Sequence, residues 1–317
     1  MDLPVRPRRY FLLLSCVGIV FIFGCSLPAK KQKEETPSLP GKFTEFILKT
    51  ECADDPLIIE IKNESESKSL ILHLFKLYID NLKKDASPDS PALAKLEKLF
   101  ACGQVKDRVE GHFYGTTIVL KKSDHPFGGF LNQLWGITLG DVSPWNGKTF
   151  NAATPRELTY YTDGFEKGNA PTFMGINCFK EYEKSLLNMA SMAVLTFWLN
   201  LKDVPEQEKH TFGYDKKGGL FIARRAMSID PENLGMAVFQ LNYRWNKLNN
   251  PPPLKYLIDE IVQIADGLYI GPLLFATEHL LEEYDPKLSP DEYKYENFGY
   301  FLLMDEDWNR EKKRLFP

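Results

Sequence analysis

The chain has 317 residues, with 39 Lys and Arg against 43 Asp and Glu, and 44% hydrophobic and 13% aromatic positions. This composition excludes collagen-like, coiled-coil and low-complexity chains and predicts an ordinary globular body. A formal net charge of -4 supplies no clustered cations for phosphate, so nucleic acid is not an expected partner.

The first element is an address. Residues 1–9 carry Arg6, Arg8 and Arg9, and a charge-free apolar run follows from Tyr10 to Phe23. The run is shorter than the roughly 20 apolar residues that a membrane-spanning helix needs, so it reads as a signal peptide. The Ile22-Phe23-Gly24-Cys25 that follows resembles the lipobox of bacterial lipoproteins. That resemblance implies loss of residues 1–24 and acylation of Cys25, palmitate included. It further implies a membrane partner reached through the lipid anchor, in the bacterial cell envelope, on the periplasmic side of the outer membrane or at the cell surface. A plain secretory signal or a short uncleaved anchor is the alternative, and Arg8-Arg9 also resembles a twin-arginine export signal. The signal carries three arginines against Asp2, so its removal leaves a body with a net charge near -6. Residues 25–41, rich in Pro, Lys and Glu, predict a flexible tether.

Residues 42–104 predict a helical cap. Leu70, Leu74 and Leu77, with Ile71, Phe75, Tyr78 and Leu82, recur at spacings of three and four, and residues 92–101 repeat the pattern after a Ser-Pro break. From residue 105 to 317 the pattern changes to strands. The first, around 109–120, alternates over more than ten residues and contains Gly111 and Gly115, as strands at sheet bends do. Further strands are expected at 149–151, 157–162, 172–179, 220–229, 236–245, 267–277 and 298–304. Two inserted helices are expected, over 180–201 and over 254–266. The apolar part of the first is too short to span a membrane. The fold class is therefore α+β: short N-terminal helices followed by an antiparallel curved sheet or small β-barrel of about eight strands, filled by side chains or holding one small ligand.

Outside the signal and Cys25, the cysteines are Cys52, Cys102 and Cys178. A Cys52–Cys102 disulfide would close a loop around the helical region, and three buried thiols are the alternative. With no CxxC and no Cys/His cluster, neither a metal nor a cofactor is expected.

Two clusters concentrate special residues. In Gly136–Phe150, Ser143-Pro144 and Asn146-Gly147 are turn formers that would present Trp145 as a lid or plug, with Lys148 opening the next strand. In 240–250, Gln240, Asn242 and Arg244 share one strand face and Phe239, Leu241, Tyr243 and Trp245 the other. The polar face suits an anionic head group if it points inward and solvent if outward; the outward reading is favoured, because aromatic faces usually point to the core. Trp145, Lys148, Tyr243, Arg244 and Tyr269 are the expected ligand contacts. Together with the Asn249–Thr277 segment and the Tyr300–Asp305 strand, the W-N-G-K sequence makes the body similar to an uncharacterised bacterial family with a loosely lipocalin-like, calycin-type barrel. That resemblance implies no stated activity.

No nucleophile-elbow, phosphate-loop, dinucleotide or zinc-protease motif is present. No catalytic residue is assigned. The leading expectation is a non-catalytic, membrane-anchored exported lipoprotein binding an apolar or amphipathic small molecule. One alternative is an exported hydrolase-type enzyme with a cleft near Glu110, His112 and Asp259, in which Glu110 and His112 share a strand face. Asp259 and the adjacent Glu260, read as helical, would point about 100° apart and form no dyad; a solvated pair is expected, with an ion pair of one of them to Arg244 as the alternative. The other alternative is a scaffold lipoprotein.

Overall fold

The computed structural model describes residues 41–121, 136, 143–166, 170–181 and 186–316. The expected signal, Cys25, nearly all of the tether, and residues 137–142 of the Trp145 cluster lie outside the described residues.

Three helices open the body: α1 (Pro56–Lys68), α2 (Ile71–Leu82) and α3 (Pro91–Cys102). Asp55 starts α1, its carboxylate accepting from the backbone N–H groups of Leu57 and Ile58 ahead of Pro56 in the first turn, which satisfies donors the helix itself leaves open. A disulfide joins Cys52, just before α1, to Cys102 at the end of α3. Cys178 is a free, buried thiol.

The remaining elements are β1 (Gly111–Leu120), β2 (Trp145–Ala152), α4 (Pro155–Tyr161), β3 (Thr172–Phe179), α5 (Leu186–Trp198), β4 (Lys202–Asp203), α6 (Glu206–Phe212), β5 (Lys216–Met227), β6 (Ala237–Asn242), β7 (Leu257–Ala265), β8 (Leu268–Ala276), α7 (Pro290–Tyr293), β9 (Tyr295–Met304) and α8 (Glu306–Leu315). All pairings are antiparallel and join neighbours in the order β3-β2-β1-β9-β8-β7-β6-β5. A further pairing of β3 with β5 closes the ring. The body is thus a closed eight-stranded antiparallel β-barrel in an α+β chain, with β4 adding two residues to the edge of β5.

A barrel of eight strands has an interior just wide enough for side chains. Here Phe113, Phe150, Phe173, Phe221, Phe239 and Phe301 point inward and belong to one buried cluster. Phe150 anchors it, with ring centroids 5.9 Å from Phe113, 5.4 Å from Phe221 and 6.3 Å from Phe239. A second core lies outside the wall, where α1, α2, α3 and Trp308 of α8 cover Ile118, Val262, Ile264, Ile270, Leu302 and Met304.

Three local expectations are corrected. Residues 254–266 are not a helix: Leu257–Ala265 is β7, buried at every position. Its inner face packs in the lumen through Leu257 and Ile261, and its outer face under the cap through Val262 and Ile264. A strand buried on both sides carries apolar residues in either period, and the run of Ile and Val here is at home in a sheet. Residues 157–162 are not a strand, because Thr154 and Glu157 build a capping box that, with Pro155 in the first turn, starts α4. Asn146-Gly147 is not a turn either. It lies inside β2 as a bulge, the pairing with β3 jumping from Trp145–Phe179 to Gly147–Cys178. Gly147 has φ +145, and a Cβ there would meet the Phe113 carbonyl oxygen at 2.0 Å, so only glycine allows the strands to approach.

Candidate functional site

Among the phenylalanines of the lumen sits one charged pair. Alternation along β2 points Lys148 inward beside Phe150, and alternation along β7 points Asp259 inward between Leu257 and Ile261. Lys148 Nζ lies 3.0 Å from Asp259 Oδ2, with side chains 4% and 2% exposed. The ammonium also donates to Asn177 Oδ1 at 2.8 Å and to the Tyr243 hydroxyl at 2.5 Å. Tyr243 in turn donates to Asp259 Oδ2 at 3.0 Å. Asn177 is held by a second bulge: the β3–β5 register skips Gly219, whose carbonyl accepts from Asn177 Nδ2 at 3.1 Å. Two bulges on β2 and β5 therefore aim Lys148 and Asn177 at one point.

The rings of Trp145, Phe221, Tyr243 and Phe301 surround Lys148 Nζ at 5.2 to 5.4 Å, within reach of cation–π attraction. Burial drives the Lys148 ammonium below the ordinary lysine range, against the opposing pull of Asp259, and drives the Tyr243 hydroxyl well above the ordinary range. One atom is unmatched: Asp259 Oδ1 is buried and has no hydrogen-bond partner among the described residues.

A cavity of about 70 Å3 adjoins this cluster, bounded by Trp145, Lys148, Asn177, Tyr243 and Asp259 and by apolar side chains of α5 and of Pro253–Leu257. Helix α5 is its cover. Leu195 is buried and, with Val194 and Trp198, walls the cavity; the Trp198 indole N–H donates to the Pro252 carbonyl. The other side of this uncharged helix exposes Leu186, Leu187 and Phe197, the last at 91%. An open groove of about 760 Å3 shares Trp198 and Leu199 with the cavity and runs past Trp245 and Tyr256. No helix among the described residues is long and apolar enough to cross a membrane.

Of the five expected contacts, Trp145, Lys148 and Tyr243 come together here. Trp145 serves as a wall, its indole N–H donating to Asn177 Oδ1 at 3.2 Å. Tyr269 points into the lumen against Phe113, at 5.3 Å between centroids, and does not line the cavity. Arg244 lies on the far side of the wall. Phe239, Leu241 and Tyr243 do point to the lumen, but Trp245, past the end of β6, packs outside the wall with Leu158, Ile222 and Leu248. The polar face points outward, yet Arg244 is not solvated. It is 3% exposed, its guanidinium 3.9 Å from the Tyr293 ring centroid and 4.8 Å from that of Tyr284, and it donates to the Tyr295 hydroxyl at 2.5 Å. Neither Asp259 nor Glu260 pairs with it. Glu260 faces outward from β7 and accepts from Ser228 Oγ at 2.6 Å and from the Ile229 N–H at 2.8 Å; burial pushes its carboxyl up to about 7.

Glu110, His112 and Asp259 do not share a cleft. The Glu110 side chain is exposed, 3.9 Å from Arg108. His112 faces outward beneath Phe212 and Tyr214, at 5.1 Å from each ring, with Nδ1 2.9 Å from Thr149 Oγ1. Burial pushes His112 down to about 4 and the neighbouring Cys178 thiol up to about 11, so neither is poised for proton transfer or nucleophilic attack at neutral pH. Among the described residues, no group of three or more His, Cys, Asp or Glu side chains is placed to hold a metal.

Asn177 is the site residue that the sequence reading lacks. Its signal is a polar side chain on the same strand face as Phe173 and Phe179. Comparison with protein families, with curated proteins and with solved structures yields no match to this chain.

Proposed function

We propose that this chain is a lipid-anchored bacterial envelope protein whose lipocalin-like barrel binds a small amphipathic molecule beneath α5, without catalysis. The observation that carries the reading is the apolar cavity floored by Lys148 and Asp259, the latter with a buried carboxylate oxygen that has no partner among the described residues. A ligand with an apolar body and a hydrogen-bond donor at its head satisfies Asp259 Oδ1 and extends past Trp198 into the adjoining groove. The anchor part of the reading rests on the resemblance of residues 22–25 to a lipobox, with Cys25 acylated.

Native mass spectrometry of the protein purified from its own host tests the binding part. A retained small molecule that disappears in Leu273→Phe, which fills the cavity wall, supports it. A ligand-free mass for the natural chain under conditions that preserve the fold contradicts it.

The scaffold reading draws on a separate observation, the apolar outer side of α5 at Leu186, Leu187 and Phe197. Envelope proteins recovered with the natural chain and lost with Leu187→Ser/Phe197→Ser would favour it.

A further inference from the structure

A buried ion pair is a poor way to hold a barrel closed, because well-packed apolar side chains of similar size serve as well or better. The rest of this lumen follows that rule with phenylalanine. The three N–H bonds of Lys148 have three acceptors, on Asn177, Tyr243 and Asp259, so the ammonium is satisfied at rest. All four of these side chains also border the cavity. An amine, a hydroxyl and a carboxylate, one of whose oxygens has no partner among the described residues, therefore border a small apolar space. They are the groups that condensation of an amine with a carbonyl compound requires: a nucleophile, a proton carrier and an acceptor for the developing hydroxyl.

We propose that Lys148 captures a small aldehyde or ketone with an apolar tail as a reversible imine in the cavity beneath α5. This rests on the ligand-binding reading above and names the chemical class of the ligand. The Lys148 ammonium passes one proton to Asp259 Oδ2, and the nitrogen lone pair attacks the carbonyl carbon. The carbon–nitrogen bond forms as the carbonyl π pair moves to oxygen, which takes a second proton from the nitrogen through the Tyr243 hydroxyl. The resulting carbinolamine hydroxyl donates to Asp259 Oδ1. Asp259 then returns its proton to that oxygen, the carbon–oxygen bond breaks, and water leaves as the nitrogen pair forms the C=N bond. A cationic iminium paired with the Asp259 carboxylate replaces a cationic ammonium in the same place, so the aromatic ring cage holds one positive charge before and after. Lowering of the amine by burial eases the first proton transfer.

The full chain in detergent, treated with butanal and sodium cyanoborohydride at neutral pH and then digested, tests the step, since reduction fixes an imine as a butyl-amine. Leu195→Ala is treated in parallel to loosen the cover. The Lys148 peptide is expected to carry one butyl group and to gain it several-fold faster than the exposed Lys294 peptide, because the cavity holds the aldehyde beside it and burial leaves more of its amine as free base. Labelling of Lys294 with Lys148 untouched in both proteins overturns the proposal. 1-Butanol, which has the same tail without a carbonyl, separates it from the reading on which it rests. If 1-butanol raises the melting temperature while butanal leaves Lys148 unlabelled, the imine falls and binding stands. If 1-butanol has no effect and butanal leaves Lys148 unlabelled, both fall.

Discussion

Lys148 and Asp259 meet 3.0 Å apart across the lumen of the barrel. Their strands, β2 and β7, stand on opposite sides of the ring. The pair spans the interior that the phenylalanines otherwise fill, and its members are nearly fully buried.

Breaking that pair from one side leaves the other charge stranded. Lys148→Met alone or Asp259→Leu alone is expected to cost about 3–5 kcal/mol of folding free energy. The double replacement should recover most of the loss, and urea unfolding of the four proteins in a double-mutant cycle measures the coupling. Additive losses would show that the two charges do not act as a unit.

His112 and Glu260 give stability opposite dependences on pH. The His112 ring is held down at about 4, so between about 6.5 and 4 the unfolded chain binds more protons than the folded one. Stability from His112 is therefore complete above about 6.5 and lost as the pH falls toward 4, by about 3 kcal/mol in all. The Glu260 carboxyl is held up at about 7, so the folded chain binds more protons between about 4.5 and 7. Its stability contribution is complete below about 4.5 and lost as the pH rises through 7, again by about 3 kcal/mol. Glu260→Gln should gain on the natural chain as the pH rises from 5 to 8, and His112→Phe should gain on it as the pH falls from 7 to 4. Denaturant melts across that range check both signs, and parallel curves for a variant and the natural chain would remove that residue from the account.

The disulfide ties the cap to itself across a sequence separation of 50. Closing a loop of that length restricts the unfolded chain by about 4 kcal/mol, so Cys52→Ala/Cys102→Ala should lower the melting temperature by several degrees. Hydrogen exchange should rise first in α1 and α3, which the bridge joins. Unchanged exchange there would place the stability of the cap entirely in its packing against the barrel wall.

Anchoring through Cys25 predicts a change of compartment. Cys25→Ser, expressed in the native host, should move from the membrane fraction to the soluble envelope fraction and lack acyl mass at its N-terminus. A variant that stays with the membrane without acyl chains would contradict the anchor.

Much of the fold was legible because it depends on local pattern. The cap helices showed their spacing of three and four, β3 was bounded by the same residues that the structure shows, and the aromatic face turned inward as expected at Phe239, Leu241 and Tyr243, though not at Trp245. Where pattern failed, a second influence had intervened. The cover above and the lumen below erased the alternation of β7, and a capping box overrode the β-prone tyrosines of α4. The site was half legible. Trp145, Lys148 and Tyr243 stand out as special residues in the chain, whereas Asp259 looked like half of a solvated helical pair and Asn177 like one polar residue in an apolar strand.

The sequence by itself determined an α+β body with a helical start, about eight antiparallel strands and an inward aromatic face, since each follows from the periodicity of its own segment. Only the tertiary structure decided that Lys148 and Asp259 are partners, that Arg244 is buried among tyrosines outside the wall, and that Glu110 and His112 share no site with Asp259. Those relations depend on ring closure between β3 and β5 and on bulges at Gly147 and Gly219. A one-residue shift of register turns a side chain from one face of a strand to the other, and no local pattern records across which lumen it will then face a charge.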